Sequence, residues 1–238
     1  MRKRILNQPI DVISKEEALY RIRGALTGQR QFKIVTLNPE MIINAQNNFE
    51  FQSAINNANL IVPDGTGIKW ALRLQGEEEV RRIPGIELAE SMLEIANELS
   101  KKVAFFGSKK EVLEKAMNKL KEKYPSVRFV IAKDGYRGED KEIANEIKSF
   151  SPDIVFVALG SPRQEVWINK YSNLFPKSTM IGIGGSIDIW SGKKKRAPAW
   201  MRKNNIEWLY RVITEPGRTI RILKALPVYI WMVLKSLP

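Results

Sequence analysis

Residues 154–159 read Ile-Val-Phe-Val-Ala-Leu and run directly into Gly160-Ser161-Pro162. The run is rich in β-branched residues, too short for a helix, and without a polar alternate, so it reads as a strand covered on both faces. Pro162 is well placed for the first turn of a following helix. The same strand-loop-helix unit recurs along the chain. Phe32–Leu37 leads through Asn38-Pro39 into a helical stretch from Glu40 to Asn47. Leu60–Val62 leads through Pro63-Asp64-Gly65-Thr66-Gly67 into a helix from Ile68 to Gln75. Val103–Phe106 stops at Gly107-Ser108, after which Lys109–Lys123 carries Val112, Leu113, Ala116 and Leu120 at helical spacing. Thr179–Ile183 stops at Gly184-Gly185-Ser186. Further helices are expected at Lys15–Thr27, Ile86–Ser100 and Lys141–Ser149. Five strands alternating with helices predict an α/β fold with a Rossmann-like, mostly parallel sheet covered by helices. Ligands then bind beyond the carboxyl ends of the strands, in the loops just named.

Composition narrows the chemistry. The chain has 238 residues, no cysteine and no histidine, so disulfides, thiolate metal sites, thiol nucleophiles and the usual imidazole base are excluded. Proton transfer falls to Asp, Glu, Lys or Tyr. The formal net charge of +13 points to a polyanionic partner: nucleic acid, a phosphorylated small molecule or an anionic membrane.

That charge is unevenly spread. From Ser191 to Pro238 there are eleven basic and two acidic residues, a net +9, interleaved with Trp200, Trp208, Tyr210, Tyr229 and Trp231. This divides the chain into an α/β core, residues 1–191, and a basic, aromatic-rich helical C-terminal appendage, residues 192–238. Basic and aromatic residues beside Ile220, Leu223, Leu226, Ile230, Val233 and Leu234 suit a helix lying in a membrane interface. An ordinary helical hairpin packed on the domain, or a nucleic-acid-binding face with stacking aromatics, fits the same composition. A spanning helix does not, because Lys224, Pro227 and Lys235 interrupt the last apolar stretch. The N-terminus lacks a secretory pattern, so a cytoplasmic location is expected, peripheral at the inner face of the membrane.

Among the loops, Asp64 stands just beyond a buried strand in a glycine-rich turn and is a candidate base, although Asp-Gly is also ordinary turn chemistry. Thr36 and Asn38 offer a hydroxyl and an amide for a polar substrate; Asn38 is equally suited to capping a helix. Arg82 can meet an oxyanion or sit as a solvated charge. The turns carrying Gly107, Ser108, Gly160, Ser161, Gly184, Gly185 and Asp188 are candidate nucleotide-binding elements, since backbone amides at strand ends can hold phosphate oxygens. No GxxxxGK[ST] or GxGxxG pattern is present, so ATPase and dinucleotide readings drop and no cofactor is expected; with no Asp-x-Asp pair, cationic side chains must neutralise the leaving group of any bound sugar nucleotide.

Taken together, Thr36-Leu37-Asn38, Pro63-Asp64-Gly65-Thr66-Gly67, Arg82-Ile83-Pro84-Gly85, Gly160-Ser161-Pro162-Arg163-Gln164-Glu165 and Gly182-Ile183-Gly184-Gly185-Ser186-Ile187-Asp188 resemble the WecG/TagA/CpsF glycosyltransferase family along nearly the whole chain. The basic, Trp-rich ending resembles the TagA branch most. That resemblance implies transfer of N-acetylmannosamine from a UDP-sugar donor, UDP-ManNAc, to the 4-hydroxyl of a polyprenyl-diphosphate-linked GlcNAc, in wall teichoic acid synthesis. It implies a metal-independent, inverting reaction. It also implies a base at Asp64, substrate-binding roles for Thr36, Asn38, Arg82 and Gln164, and diphosphate neutralisation by Arg211, Arg218 and Arg221. The expected partners are thus the donor, the lipid-linked acceptor and an anionic membrane surface, with no nucleic acid and with a possible homo-oligomer away from the membrane. A sister transferase with another UDP-sugar, or a basic nucleic-acid-binding protein, are the alternatives.

Overall fold

The computed structural model describes residues 1–78, 80–204, 206–214 and 216–237; the side chains at 211 and 216–218 lie outside the described set. The chain opens with a hairpin, β1 (Arg2–Ile5) and β2 (Gln8–Asp11), followed by α1 (Lys15–Thr27). Next come β3 (Phe32–Leu37), α2 (Pro39–Gln46), α3 (Phe49–Asn56), β4 (Leu60–Pro63), α4 (Thr66–Leu74) and α5 (Gly85–Glu98). The second half contributes β5 (Lys102–Gly107), α6 (Lys110–Lys123), β6 (Arg128–Lys133), α7 (Asp140–Ser149), β7 (Ile154–Ala158), α8 (Arg163–Tyr171), β8 (Thr179–Gly182) and α9 (Ser186–Trp190). It ends in α10 (Ala199–Lys203), α11 (Glu207–Thr214) and α12 (Pro216–Lys235).

Six strands form one sheet in the order β4-β3-β8-β7-β5-β6, every pairing parallel. The Rossmann-like architecture expected from the sequence is therefore present, with one strand more than the five read there. Strand β6 is the addition. It is an edge strand, half exposed and bounded by Arg128 and Lys133, so it lacks the unbroken apolar run that marks its buried neighbours.

Period-2 alternation places side chains on both faces of the sheet. Phe32 and Ile34 of β3, with Ile154 and Phe156 of β7, enter one core under α1, α5, α6 and α9. Val35 and Leu37 enter a second core with α2, α3 and α4, to which Tyr229 and Val233 of α12 also belong. Val155 and Val157 enter a third, built around Trp167 of α8. The hairpin is fastened to the sheet edge by Asp11. Its carboxylate takes two hydrogen bonds from the Arg2 guanidinium, at 2.8 and 2.9 Å, and accepts the Ile61 backbone N–H at 2.8 Å. An edge N–H of β4 that has no strand partner is thereby satisfied. Among the described residues, no helix is long and apolar enough to cross a membrane.

Candidate active site

The carboxyl ends of β3, β4, β7 and β8 meet around a cavity of about 570 Å³. Thr36 and Asn38 reach it from β3, Asp64 from β4, Gly160, Ser161 and Gln164 from β7, and Gly184 and Gly185 from β8; Arg82 also lines it. These residues are far apart in sequence, and the parallel order brings their loops to one end of the sheet.

Asp64 is held at both ends. Its backbone N–H donates to Leu37 O at 2.8 Å, which extends the β3–β4 ladder by one residue, and its Oδ2 accepts the Gly85 N–H at 3.3 Å. Gly85 opens α5, so the carboxylate faces a helix N-terminus, where the exposed N–H groups attract negative charge. A Cβ on Gly85 would come within 3.0 Å of the Thr36 hydroxyl oxygen. The lack of a side chain there lets Thr36 and Asp64 share one corner of the cavity.

Asn38 caps α2: its Oδ1 accepts the Met41 N–H at 3.0 Å. The capping role is compatible with a ligand role, because the cap uses the amide oxygen and Asn38 also lines the cavity. Arg82 is not a solvated charge. Its guanidinium donates to Arg202 O at 2.9 Å and pairs with the Glu207 carboxylate at 3.5 Å, both partners belonging to the C-terminal helices.

Gln164 is buried. Its Oε1 accepts the Gly184 N–H at 3.0 Å and its Nε2 donates to Glu165 Oε1 at 2.7 Å. Glu165 is itself only 5% exposed. Burial pushes its carboxyl up to about 7, against the opposing influence of Gln164, Ser161 and its own backbone. A raised carboxyl is protonated more readily in the fold than in the unfolded chain. Glu165 therefore costs no stability below its ordinary value of 4.5, and stability is lost as pH rises from there to about 7. We expect Glu165→Gln to gain melting temperature over the wild type progressively between those pH values, by several degrees at pH 8. Parallel thermal scans across that range check it, and a difference independent of pH would contradict it.

The remaining nucleotide-binding expectations divide. Gly160, Ser161, Gly184 and Gly185 line the cavity, whereas Gly107, Ser108 and Asp188 do not. Gly107 has φ of 120°, and a Cβ there would lie 2.4 Å from the Ala158 carbonyl carbon, so strand packing accounts for this glycine. The Ser108 N–H donates to Ala158 O at 3.0 Å. Asp188 is paired with Lys193 and Lys194, each at 3.6 Å. Of the three C-terminal arginines, Arg221 lines the cavity and pairs with Glu40 at 3.5 Å, while the side chains of Arg211 and Arg218 lie outside the described residues.

Sequence reading missed other lining residues. Lys194, Lys195 and Arg196 follow α9 into the cavity wall, and Arg196 is hydrogen-bonded to Glu87. The run had been legible only as part of the C-terminal charge. Tyr229 was read as an interfacial aromatic but is fully buried, and its hydroxyl donates to Gly67 O at 3.2 Å. Burial pushes its phenol well up from the ordinary range. Among the described residues, no three His, Cys, Asp or Glu side chains gather as a metal site.

The family model described as "Glycosyl transferase WecG/TagA/CpsF family" matches residues 3–238. The chain belongs to this glycosyltransferase family. It is 39% identical over 202 residues to a Bacillus spizizenii protein named N-acetylglucosaminyldiphosphoundecaprenol N-acetyl-beta-D-mannosaminyltransferase, covering 85% of this chain and 78% of that one. Proteins of the same name from Bacillus subtilis strain 168 and Staphylococcus aureus strain NCTC 8325 are also 39% identical, over 85% of this chain and 79% and 80% of their own lengths. As a member of the family, this protein has its candidate active site where the Gly-rich loops, Asp64 and the cationic wall converge.

Proposed function

We propose that this glycosyltransferase moves N-acetylmannosamine from UDP-ManNAc to the 4-hydroxyl of GlcNAc carried on undecaprenyl diphosphate, with inversion and without a metal. The observation that carries the reading is Asp64, a carboxylate fixed at the head of α5 beside Thr36 in a cavity also lined by Lys194, Lys195, Arg196 and Arg221. The names of the relatives supply the sugar and the acceptor.

In this mechanism Asp64 accepts the proton of the acceptor hydroxyl as its oxygen bonds to the anomeric carbon. The bond from that carbon to the donor's phosphate oxygen breaks on the opposite face, and the electron pair leaves with UDP. Negative charge grows on the departing diphosphate. Lys194, Lys195 and Arg221 are the cations assigned to offset it, together with the Gly184 and Gly185 loop. Thr36, Asn38, Gln164 and Arg82 are assigned to binding and orienting the sugars.

The acceptor's lipid stays in the bilayer, so the enzyme works at the membrane surface. The C-terminal helices support this placement: Trp208, Ile213, Ile220, Leu223, Trp231 and Leu234 are exposed there, and Lys235 lies over the Trp231 ring at 5.1 Å. Such a face, with residues 192–238 acting as an appendage to a core of residues 1–191, suits an anionic interface.

The test is purified full-length protein with UDP-ManNAc and a synthetic lipid-linked GlcNAc diphosphate, with and without a chelator. Product with a new β-linkage at the 4-hydroxyl, formed equally in both conditions, is the expected result. Turnover abolished by chelation would refute metal independence. Turnover with UDP-glucose alone would reassign the donor.

A further inference from the structure

Glu165 is a buried carboxyl next to the cavity-lining Gln164, and the mechanism above does not use it. It neighbours Gln164 in sequence at the start of α8 and in space through the 2.7 Å hydrogen bond. The second oxygen of its carboxyl, Oε2, is buried together with the Ser161 hydroxyl, which lowers the carboxyl as Gln164 does. Burying a carboxyl is costly unless it is hydrogen-bonded, so the groups bonded to this one bear on why it is there.

What it holds is the Gln164 amide. A primary amide has two nearly equivalent orientations, and neither is preferred without a partner that distinguishes oxygen from nitrogen. Here both ends are fixed: the Gly184 N–H requires the amide oxygen, and the Glu165 oxygen accepts from the amide nitrogen. The third wall is Gly182 at the end of β8, where a Cβ would lie 2.4 Å from Gln164 Nε2. Glycine at that position leaves the space that the amide fills. The Gly184 loop and Gln164 both line the cavity.

We infer that Glu165 is a positioning residue, whose buried carboxyl locks the Gln164 amide against the Gly184 backbone so that glutamine and glycine loop meet the sugar nucleotide in one fixed geometry. This rests on the proposed function in one respect only, namely that Gln164 serves the donor. The ionised groups bonded to α8 from elements packed on it are Lys33 of β3, which reaches Asn169, and Asp140 of α7, which pairs with Arg163. Neither is among the causes that perturb Glu165; desolvation leads, opposed by Gln164, Ser161 and the residue's own backbone.

Two measurements test the inference on the full chain. The first reads the lock itself by carboxyl carbon NMR of Glu165 in the wild type and in Gln164→Leu, which keeps Glu165 covered and removes the hydrogen bond. The hydrogen bond from Gln164 lowers the titration midpoint, so its removal raises the midpoint further. An unmoved midpoint would overturn the lock whatever the turnover. The second is a double-mutant cycle on kcat/KM for the donor. Glu165→Ala lowers it about tenfold in the wild-type background and has no further effect in Gln164→Ala, while Glu165→Gln, which keeps an acceptor oxygen, restores most of it. Additive losses, or full activity of Glu165→Ala, would overturn the positioning role. A raised midpoint combined with wild-type turnover of Gln164→Ala would preserve the lock but remove Gln164 from the reaction, and the proposal with it.

Discussion

Asp64→Asn folds, keeps its affinity for UDP, and loses turnover by about 10²–10⁴-fold, the range that a positioned base contributes. The substitution is nearly isosteric. An asparagine oxygen can still accept the Gly85 N–H that Asp64 accepts at 3.3 Å, so the corner shared with Thr36 keeps its shape. What disappears is the only function an amide cannot perform, taking a proton from an incoming alcohol. Among the described residues no substitute stands nearby. The chain has no histidine, and the other carboxylates lining the cavity, Glu40 and Glu207, are paired with Arg221 and Arg82. Glu165 is buried behind Gln164. Steady-state kinetics with saturating donor and acceptor, beside a UDP titration and a thermal melt, decide the matter. Turnover within tenfold of the wild type in a well-folded Asp64→Asn protein would remove Asp64 from the role of base.

How far the sequence could be read depended on whether a feature was local. The five buried strands announce themselves because a strand covered on both faces must be apolar at every position, as in residues 154–159. Strands β6 and β1 do not, since each has exposed positions, and β2 is buried throughout but carries the polar Gln8 and Asp11. In the hairpin the turn is made by Leu6 and Asn7 at φ of 46° and 67°, where a leucine disguises the usual turn composition, and Pro9 breaks the strand pattern. Helix α3 was also unread, between two asparagine-rich stretches that looked like loop.

The same distinction governs the site. Thr36, Asn38 and Asp64 could be placed because the end of a parallel strand is recognisable from the strand itself, whereas Gln164 came from the family resemblance. The partners of these side chains could not. Nothing near Arg82 in sequence indicates that its guanidinium is engaged by Glu207 and Arg202, and nothing near Gly182 indicates that Gln164 fills the space beside it. Gly107, by contrast, looked like a phosphate-binding glycine, because the local signature of a turn that admits a ligand is the same as that of a turn pressed against the neighbouring strand.

Removing residues 192–238 leaves a folded protein that binds UDP and transfers sugar at least 100-fold more slowly. Folding survives because the sheet and the first and third cores lie within residues 1–191, and the second core loses Tyr229, Val233 and the partly buried Leu226. Catalysis does not, because α11 and α12 form one wall of the cavity. Their anchor is Tyr229. Its ring stands 3.5 Å from where a Cβ on Gly67 would be, and that same Cβ would lie 2.6 Å from Pro39, so the ring closes over the loops that carry Asp64 and Asn38. Replacing a buried aromatic by alanine costs roughly 3–5 kcal/mol, here charged to docking of the helix and not to the sheet. Tyr229→Ala should therefore approach the truncation in turnover and expose Lys193–Arg196 to faster tryptic cleavage. Tyr229→Phe gives up only the 3.2 Å bond to Gly67 O, about 1 kcal/mol, and should stay near the wild type. That ranking separates a wall of the cavity from a membrane tether. A tether alone would leave Tyr229→Ala fully active on a water-soluble, short-chain acceptor, and such a result would confine α12 to the membrane.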